Sequence, residues 1–204
     1  MQDNILALFD FCETITNFQT LEDFRNEISI KFQKPRKCID GVKYPELNNM
    51  PVEAVQTFSK EFVYTKILPN INKSIIEKVF WHQDQGHQVV IVSGGLEIYI
   101  NEFAKIYGIE KVVAIELEIF KNKFTGNISG IHTMQERKLY KLIQKINLNK
   151  YNLKESYAYS DCVSDIPLLS LVGNPNVVET PKDLTWAKIL KYNILKEESC
   201  ESGN

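Results

Sequence analysis

The chain has 204 residues, of which 44% are hydrophobic, and a formal net charge of −2. This length suits one domain or a domain with a small insert, and the apolar content is enough for a hydrophobic core. The balanced charge offers no basic surface for nucleic acid, and no apolar run approaches the ~20 residues of a membrane-spanning helix. We therefore expect a globular protein that binds neither nucleic acid nor a membrane. No pattern specifies its oligomeric state.

Cysteine usage indicates the cellular compartment. The four cysteines are Cys12, Cys38, Cys162 and Cys200, and none forms a CxxC pair or another metal-ligand spacing. Neither a zinc site nor a disulfide scaffold is predicted. The amino terminus enters an apolar run without the basic segment and small-residue cleavage site of a signal peptide. We therefore expect a cytoplasmic protein with reduced cysteines.

The first predicted element is a strand over residues 5–9, an uninterrupted apolar run typical of strands buried on both faces. A second such run occupies residues 89–92, too far along for a single crossover helix to join the two. The interval has apolar residues at helical steps of three and four, namely Phe18, Leu21, Phe24, Ile28 and Phe32, then Val52, Val55, Phe58, Phe62 and Leu68. We predict a mostly helical insert over residues 16–71, with a loop at 34–51.

Beyond the insert, helical and extended patterns alternate. The predicted helices cover residues 73–85, 96–107, 135–146 and 184–192, and the first two end at Gly86 and Gly108. The predicted strands cover residues 112–120, 124–128, 157–159 and 176–178, with a tight turn at Asn122-Lys123. Residues 196–204 are charged and small and are expected to fray. This alternation predicts an α/β fold with a doubly wound parallel sheet.

Asp10 directly follows the first predicted strand. It therefore stands at the carboxyl edge of the sheet, where open α/β folds bind ligands. Burying an isolated carboxylate is costly, so such an Asp needs a cation or strong donors nearby. A carboxylate here can attack phosphorus and form an aspartyl-phosphate, with Mg²⁺ screening the two anions. The alternative is a helix N-cap, since Asp is common after strands.

Two later segments could bring further groups to Asp10. Ser93 follows the second buried run, and Gly94 beside it allows a backbone N–H to approach a phosphate closely, although a lone Ser-Gly-Gly is more often a simple turn. Asp161 and Asp165 follow a strand at a spacing of i, i+4, so both can face one pocket at a helix start. Mg²⁺ prefers such oxygen ligands. The alternative is a pair of solvated loop acids.

Four segments occur in the order FDFCETI, VSGG, ERK and SDCVSD. Together they resemble the motifs of the haloacid dehalogenase superfamily of phosphotransferases, most closely its phosphoserine-phosphatase-like branch. The resemblance covers nearly the whole chain, and SDCVSDIPLLSLVGNPNVV, residues 160–178, is especially similar to the last motif and its following strand. It implies that residues 1–15 and 72–204 form an α/β core, and that residues 16–71 form the family's small helical cap.

The resemblance implies roles for the site residues. Asp10 would be the nucleophile, and Lys138 would neutralise the transferring phosphoryl group and steady Asp10. Lys141, one turn further along, is the competing candidate. The phosphate-binding groups would be Ser93, Gly94, Lys138 and the backbone of Phe11, with the hydroxyl of Thr14 close by. Mg²⁺ would be held by Asp10, Asp161, Asp165 and the backbone carbonyl of Cys12.

Cys12 departs from the family, whose hydrolases carry Asp two residues after the nucleophile to protonate the leaving oxygen and then activate water. A thiol with its unperturbed pKa near 8.5 could donate a proton at neutral pH, but its thiolate fraction is small. Nearby carboxylates would raise this pKa, whereas Mg²⁺ and Lys138 would lower it. Soft sulfur is also a poor Mg²⁺ ligand. The alternative is that Cys12 is an inert small side chain.

Other polar residues are weaker candidates. His82 and His87 bracket a predicted helix end and are expected to be solvated, whereas His132, in the connection before the ERK segment, could approach the site. In the insert, Arg25 and Lys66 could bind a substrate anion or could simply be solvated.

The resemblance thus implies Mg²⁺-dependent hydrolysis of a small phosphorylated metabolite through Asp10, since a small cap excludes bulk solvent and restricts the substrate. Cys12 leaves two alternatives open. One is a weakened family member that binds a phosphorylated ligand without turnover. The other is a phosphotransferase whose acceptor is not water. Dehalogenation is disfavoured, because that chemistry does not need a metal site at Asp161 and Asp165.

Overall fold

The protein is described by a computed structural model that covers residues 4–37 and 41–196. The strands are β1 (Leu6–Phe9), β2 (Gln88–Leu96), β3 (Lys111–Ile115), β4 (Leu117–Phe120), β5 (Lys123–Ile128), β6 (Tyr157–Ser160), β7 (Asn174–Val178) and β8 (Asn193–Leu195). The α-helices are α1 (Thr20–Phe32), α2 (Val52–Phe62), α3 (Lys73–Asp84), α4 (Glu97–Ile106), α5 (Arg137–Lys145), α6 (Ile166–Leu169) and α7 (Thr185–Ile189).

A six-stranded parallel sheet in the order β3-β2-β1-β6-β7-β8 forms the core. In β1, Phe9 is in register with Ile91 of β2 on one side and with Tyr159 of β6 on the other. Every residue of β1 is buried, and alternate side chains enter two hydrophobic clusters, Phe9 one and Leu8 the other. A strand with a core on each face needs an uninterrupted apolar sequence. The predicted α/β fold with a doubly wound parallel sheet is confirmed.

The two predicted helices between β1 and α3 are present as α1 and α2. Phe24 of α1 packs against Phe58 and Phe62 of α2, with ring centroids 5.2 Å apart in each pair. Tyr99 of α4 also packs against Phe24, at a centroid distance of 4.9 Å. Aromatic rings at these separations gain contact energy beyond their buried area. The inserted helices therefore share one hydrophobic cluster with the sheet.

The prediction of one strand over residues 112–120 is wrong. β3 ends at Ile115 in the main sheet, and β4 begins at Leu117 and pairs with β5 as a separate antiparallel hairpin. Periodicity alone does not show where a chain leaves one sheet for another. Lys121 and Asn122 both have positive φ, 47° and 58°, as in two-residue hairpin turns, so the turn lies one residue earlier than predicted.

Strand β5 supports the chain between α1 and α2. The N–H of Tyr44 donates to the carbonyl of Gly126 at 2.8 Å, and the N–H of Phe124 donates to the carbonyl of Met50 at 2.9 Å. At Gly126, φ is 78° and a Cβ would lie 2.7 Å from the carbonyl oxygen of Tyr44, so no side chain fits. The predicted loop at 34–51 is held in this way, and its described residues include a short 3₁₀ turn, Pro45–Leu47.

The carboxyl-terminal helix is shorter than predicted. α7 ends at Ile189, Lys191 has a positive φ of 57°, and the chain then adds β8 to the sheet edge, a strand that the sequence analysis missed. The fraying expected for the tail concerns residues 197–204, which lie outside the described residues, as do Cys38 and Cys200. No helix among the described residues has the length and hydropathy needed to cross a membrane.

Candidate active site

Asp10 lies where β1 leaves the sheet. Its N–H donates to the carbonyl of Tyr159 at 2.9 Å, which continues the strand pairing up to the carboxylate. The chain then turns tightly through Phe11–Ile15, and the N–H of Thr16 donates to the carbonyl of Phe11 at 3.0 Å. The Phe11 ring is buried against Phe103, with centroids 5.0 Å apart. Strand and turn together fix the carboxylate at the sheet edge, and only 4% of Asp10 is exposed.

Lys138 connects two buried carboxylates. Its Nζ donates to Oδ1 of Asp10 and to Oδ2 of Asp165, both at 2.7 Å. Ser160 at the end of β6 donates from its hydroxyl to the same Oδ2 of Asp165 at 2.6 Å. Lys141 points elsewhere, since its Nζ donates to the carbonyl of Ala114 at 2.6 Å. The structure therefore brings Lys138, and not Lys141, to the nucleophile candidate.

Asp161 is engaged on both oxygens. Oδ1 accepts a hydrogen bond from the hydroxyl of Thr14 at 3.1 Å, and Oδ2 accepts one from Nζ of Lys182 at 2.6 Å. The same Lys182 Nζ donates to Oε2 of Glu13 at 2.6 Å. The sequence analysis named Asp161 and Thr14 but missed Lys182 and Glu13. Lys182 comes from the connection after β7, and no motif or periodicity marks it.

The charges at this edge do not balance. Three carboxylates, those of Asp10, Asp161 and Asp165, are almost fully buried close together. Burial raises the pKa of Asp10 to about 7, with Asp165 and Asp161 acting in the same direction and Lys138 opposing them. Burial disfavours the charge of Lys138, but Asp10 and Asp165 outweigh that effect and raise its pKa. The ammonium group of Lys138 therefore stays charged. The positive charge near Asp10, however, does not offset the burial of its carboxylate.

The donor chemistry, though not the present positions of the side chains, suits one divalent cation. Counting Glu13, four carboxylates share two ammonium groups, Lys138 and Lys182, and Oδ1 of Asp165 is buried without a hydrogen-bond partner within the described ranges. An excess of two negative charges on hard oxygen donors suits Mg²⁺. Within residues 4–37 and 41–196, however, no three acidic, His or Cys side chains converge as a ready metal cluster. Lys138 and Lys182 bind the carboxylates instead.

The Ser93-Gly94 segment forms a bend within β2. The Oγ of Ser93 is buried and accepts a hydrogen bond from the N–H of Gly95 at 3.0 Å, which leaves its hydroxyl hydrogen to donate elsewhere. Gly94 lines the same cleft as Asp10. A Cβ on Gly94 would lie 3.3 Å from Cγ of Met134, so only glycine leaves this approach fully open. Gly94 therefore lines the cleft, whereas Ser93 is buried beside it and is not among the lining residues.

Cys12 is held by hydroxyl groups that the sequence analysis missed. Its Sγ lies 3.0 Å from Oγ1 of Thr20, which in turn lies 2.9 Å from the hydroxyl of Tyr99. Burial raises the pKa of the Cys12 thiol, and the charge of Asp10 adds to that effect. The side chain is therefore a protonated thiol at neutral pH. Thr20 and Tyr99 come from different helices, so sequence spacing could not show that they meet.

These groups surround a cleft of about 550 Å³ whose lining includes Asp10, Cys12, Lys138 and Asp161. His132 also lines the cleft. The insert cations Arg25 and Lys66 do not: Arg25 pairs with buried Glu46 at 2.5 Å, and Lys66 with Glu27 at 2.6 Å.

The expectation of a solvated His82 is wrong. The ring is fully buried, and its Nε2 lies 2.9 Å from the hydroxyl of Tyr159. Burial, followed by the neighbouring His87, lowers the pKa of His82 to about 3. His82 therefore serves as a neutral polar group of the core beneath β1 and β6.

Comparison with known proteins gives a consistent result. The sequence profile of haloacid dehalogenase-like hydrolases matches residues 7–170. A histidinol-phosphatase from Neisseria meningitidis serogroup C is 30% identical over 158 residues, which is 72% of this chain and 70% of the relative. A phosphoserine phosphatase from Methanocaldococcus jannaschii is 24% identical over 82% of each chain.

Solved structures agree on the fold. A protein of unknown function from Bordetella pertussis Tohama I superposes with a TM-score of 0.77 at 20% identity, covering 95% of this chain and 99% of the other. A substrate-bound phosphoserine phosphatase superposes with a TM-score of 0.66 at 22% identity, covering 97% and 95%.

The chain therefore belongs to the haloacid dehalogenase-like hydrolases, and the resemblance stated from its four segments is confirmed. Within this family it groups with the phosphoserine-phosphatase-like branch and is a phosphoric monoester hydrolase.

Proposed function

We propose that the protein hydrolyses a small phosphomonoester in two steps through Asp10. The observation that carries this proposal is the buried contact of Lys138 with Asp10 and Asp165 at the carboxyl end of β1. A carboxylate oxygen of Asp10 forms a bond to phosphorus as the bond from phosphorus to the leaving oxygen breaks. Water then attacks the aspartyl-phosphate, which releases phosphate and restores Asp10.

Substrate phosphate is bound by donors on three sides of the nucleophile. Lys138 supplies an ammonium group that is already fixed, so no reorganisation is needed as charge moves onto the phosphoryl oxygens. Ser93 donates from its hydroxyl, and the backbone N–H groups of Gly94 and Phe11 complete the set. Fixed donors of this kind stabilise the transferring group more than mobile water does.

Mg²⁺ would be held by Asp10, Asp161, Asp165 and the backbone carbonyl of Cys12. The unpaired Oδ1 of Asp165 and the excess of carboxylates support this assignment. Bound there, the cation screens the repulsion between the Asp10 carboxylate and the phosphate dianion.

Cys12 occupies the acid/base position in place of Asp. Its protonated thiol gives a proton to the leaving alkoxide in the first step, and the thiolate takes a proton from the attacking water in the second. The contact with Thr20, 3.0 Å from the sulfur, orients the thiol. Because burial raises the thiol pKa, proton donation is weaker than from a carboxylic acid, and poor leaving groups should react slowly.

The core and the insert have separate roles in this proposal. Residues 1–15 and 72–204 form the catalytic core, and residues 16–71 form a cap that closes over the cleft and limits the substrate to a small phosphorylated metabolite. We place the protein in the cytoplasm, with no membrane or nucleic-acid partner.

A second candidate is phosphoryl transfer to an acceptor other than water. The observation that favours it is again Cys12, because a weak general base would slow attack by water and prolong the life of the aspartyl-phosphate. The acceptor would then be a hydroxyl compound that enters the cleft after the first product leaves.

One experiment tests both candidates. Purified protein is assayed with a panel of phosphomonoesters, with Mg²⁺ and after chelation, and reacted protein is reduced with borohydride, which converts an aspartyl-phosphate into homoserine. Mass spectrometry should locate homoserine at position 10. Release of phosphate supports hydrolysis, and its appearance only with an added alcohol supports transfer. Tight ligand binding without turnover or modification would instead identify a phosphate-binding protein.

A further inference from the structure

One side of the cleft carries positive charge that no group among the described residues neutralises. Lys43, from the chain between α1 and α2, and Arg137, at the start of α5, line the cleft with His132. Neither Lys43 nor Arg137 makes an ion pair within the described parts of the chain. Burial lowers the pKa of His132, and the charges of Lys43, Arg137 and Lys141 act in the same direction.

Several other cations of the insert are paired with carboxylates. Arg25 binds Glu46 and Glu22, Lys66 binds Glu27, and Lys31 binds Glu61. Lys34, Lys37 and Lys60 make no ion pair among the described residues either, so what sets Lys43 and Arg137 apart is that both line the cleft.

The acid on this part of the cleft is already neutralised. Glu22 lines the cleft, but one carboxylate oxygen accepts from Arg25 at 3.1 Å and the other from Arg36. The hydrogen bond from Arg36, followed by the opposing effect of burial, leaves the pKa of Glu22 below its usual value. Two guanidinium groups on one carboxylate leave little negative potential for a substrate ammonium group.

His132 is fixed as a hydrogen-bond donor. Its Nδ1 accepts from the N–H of Met134 at 3.2 Å, so the neutral ring carries its hydrogen on Nε2. The ammonium group of Lys43 and the guanidinium group of Arg137 are also donors, so these three side chains offer a ligand hydrogen-bond donors alone.

We propose that the substrate carries a second anionic group, a carboxylate or a further phosphate, that is bound by Lys43, His132 and Arg137. The inference rests on the proposed function and narrows its substrate class. The phosphate being cleaved sits at Asp10 and Lys138, and the second anion supplies the countercharge that the cleft lacks. Removing either cation should weaken transition-state binding only when the second anion is present.

The test compares matched substrates that differ in one group. Glycerol 3-phosphate and 3-phosphoglycerate differ in a hydroxymethyl against a carboxylate, and fructose 6-phosphate and fructose 1,6-bisphosphate differ in a second phosphate. Wild type should show a higher kcat/KM for the anionic member of at least one pair. Lys43→Gln and Arg137→Gln should each lower that value about tenfold, the usual effect of one charge-assisted hydrogen bond, and leave the neutral member within about twofold.

The control variant is Lys66→Gln, which removes an exposed cation of the same insert that is paired with Glu27 outside the cleft. It should not change either member of a pair. A second readout uses the ring of His132 in an Asp10→Asn background, where NMR should show its pKa rising when the anionic ligand is added and not when the neutral one is.

The outcomes separate the two claims. No turnover of any phosphomonoester, including p-nitrophenyl phosphate, would overturn the proposed function. Turnover with equal kcat/KM within each pair, or equal losses in the Lys43 and Arg137 variants for both members, would leave the function standing and overturn the second-anion site.

Discussion

The end of β1 and the outer part of the cleft carry excess charge of opposite sign. At β1, Asp10, Asp161 and Asp165 are buried, and the excess charge is negative. At the outer cleft, Lys43 and Arg137 are exposed, and the excess charge is positive. The first arrangement is fixed by packing and suits one reaction, as preorganised catalytic groups do. The second is open and depends on a ligand to complete it. Under the proposed function, the buried groups provide the chemistry and the exposed cations provide substrate recognition.

The largest expected effect comes from Asp10→Asn, which removes the nucleophile with little change of shape. We expect kcat to fall by at least about 10⁴-fold, because an amide oxygen does not form the covalent intermediate and losing an essential nucleophile has effects of this size. Phosphate release by purified protein measures the change, and thermal unfolding checks the fold. Substantial residual activity would show that the nucleophile is not at the end of β1. It would contradict the contrast drawn between β1 and the outer cleft.

The sequence predicted which buried carboxylates the fold brings together, for a physical reason. Asp10 and Asp161 each end a buried strand, and the carboxyl ends of parallel strands meet at one edge, so local pattern and global position coincide. Thr20, Tyr99 and Lys182 were missed because they reach the site through helix packing and a loop, which leave no periodic trace. His82 was misjudged because a helix end can be exposed on one side and buried on the other.

The buried carboxylates should also make metal-free protein sensitive to pH. The pKa of Asp10 rises from 3.8 to about 7 on folding, so the folded state binds the proton more tightly than the unfolded state. By linkage, Asp10 favours folding at low pH, and this contribution is lost as pH rises from about 4 to about 7.

Thermal unfolding in EDTA across that range measures the effect. Wild type should lose several degrees of Tm relative to Asp10→Asn, whose amide does not titrate, and the difference should level off above pH 7. Mg²⁺ should restore wild type at the upper end. If Tm changes with pH in the same way in the two proteins, folding does not raise the pKa of Asp10.

Variants of Cys12 test whether proton transfer limits the reaction at the end of β1. If the thiol limits proton transfer, Cys12→Asp should raise kcat/KM for alkyl phosphates about 10- to 100-fold, within the range of general acid catalysis, and change aryl phosphates much less. Cys12→Ser and Cys12→Ala should lose activity on alkyl phosphates if the thiol moves protons and keep it if the thiol is inert. A leaving-group series on the four proteins decides this, and an identical slope in wild type and Cys12→Asp would exclude Cys12 as the limiting group.

The smallest expected effect concerns Lys182, which lies between the two regions because it is partly exposed yet bound to buried Asp161. Its Nζ donates to Oδ2 of Asp161, an oxygen of the proposed Mg²⁺ site, and its charge repels a cation there. Lys182→Met keeps most of the length of the side chain and removes the charge. We expect Mg²⁺ to bind metal-free protein about fivefold more tightly in this variant, the effect of one partly screened charge.

Calorimetric titration with Mg²⁺ measures the affinity without turnover. Lys188→Met is the matched control, since Lys188 is an exposed lysine of α7 that does not line the cleft. If Lys182 competes with the metal, only Lys182→Met gains affinity. If affinity falls instead, Lys182 holds Asp161 and Glu13 in the geometry that the cation uses, and the lysine belongs to the preorganised half of the site. An unchanged affinity would place the cation away from Asp161 and would remove this carboxylate from the proposed ligand set.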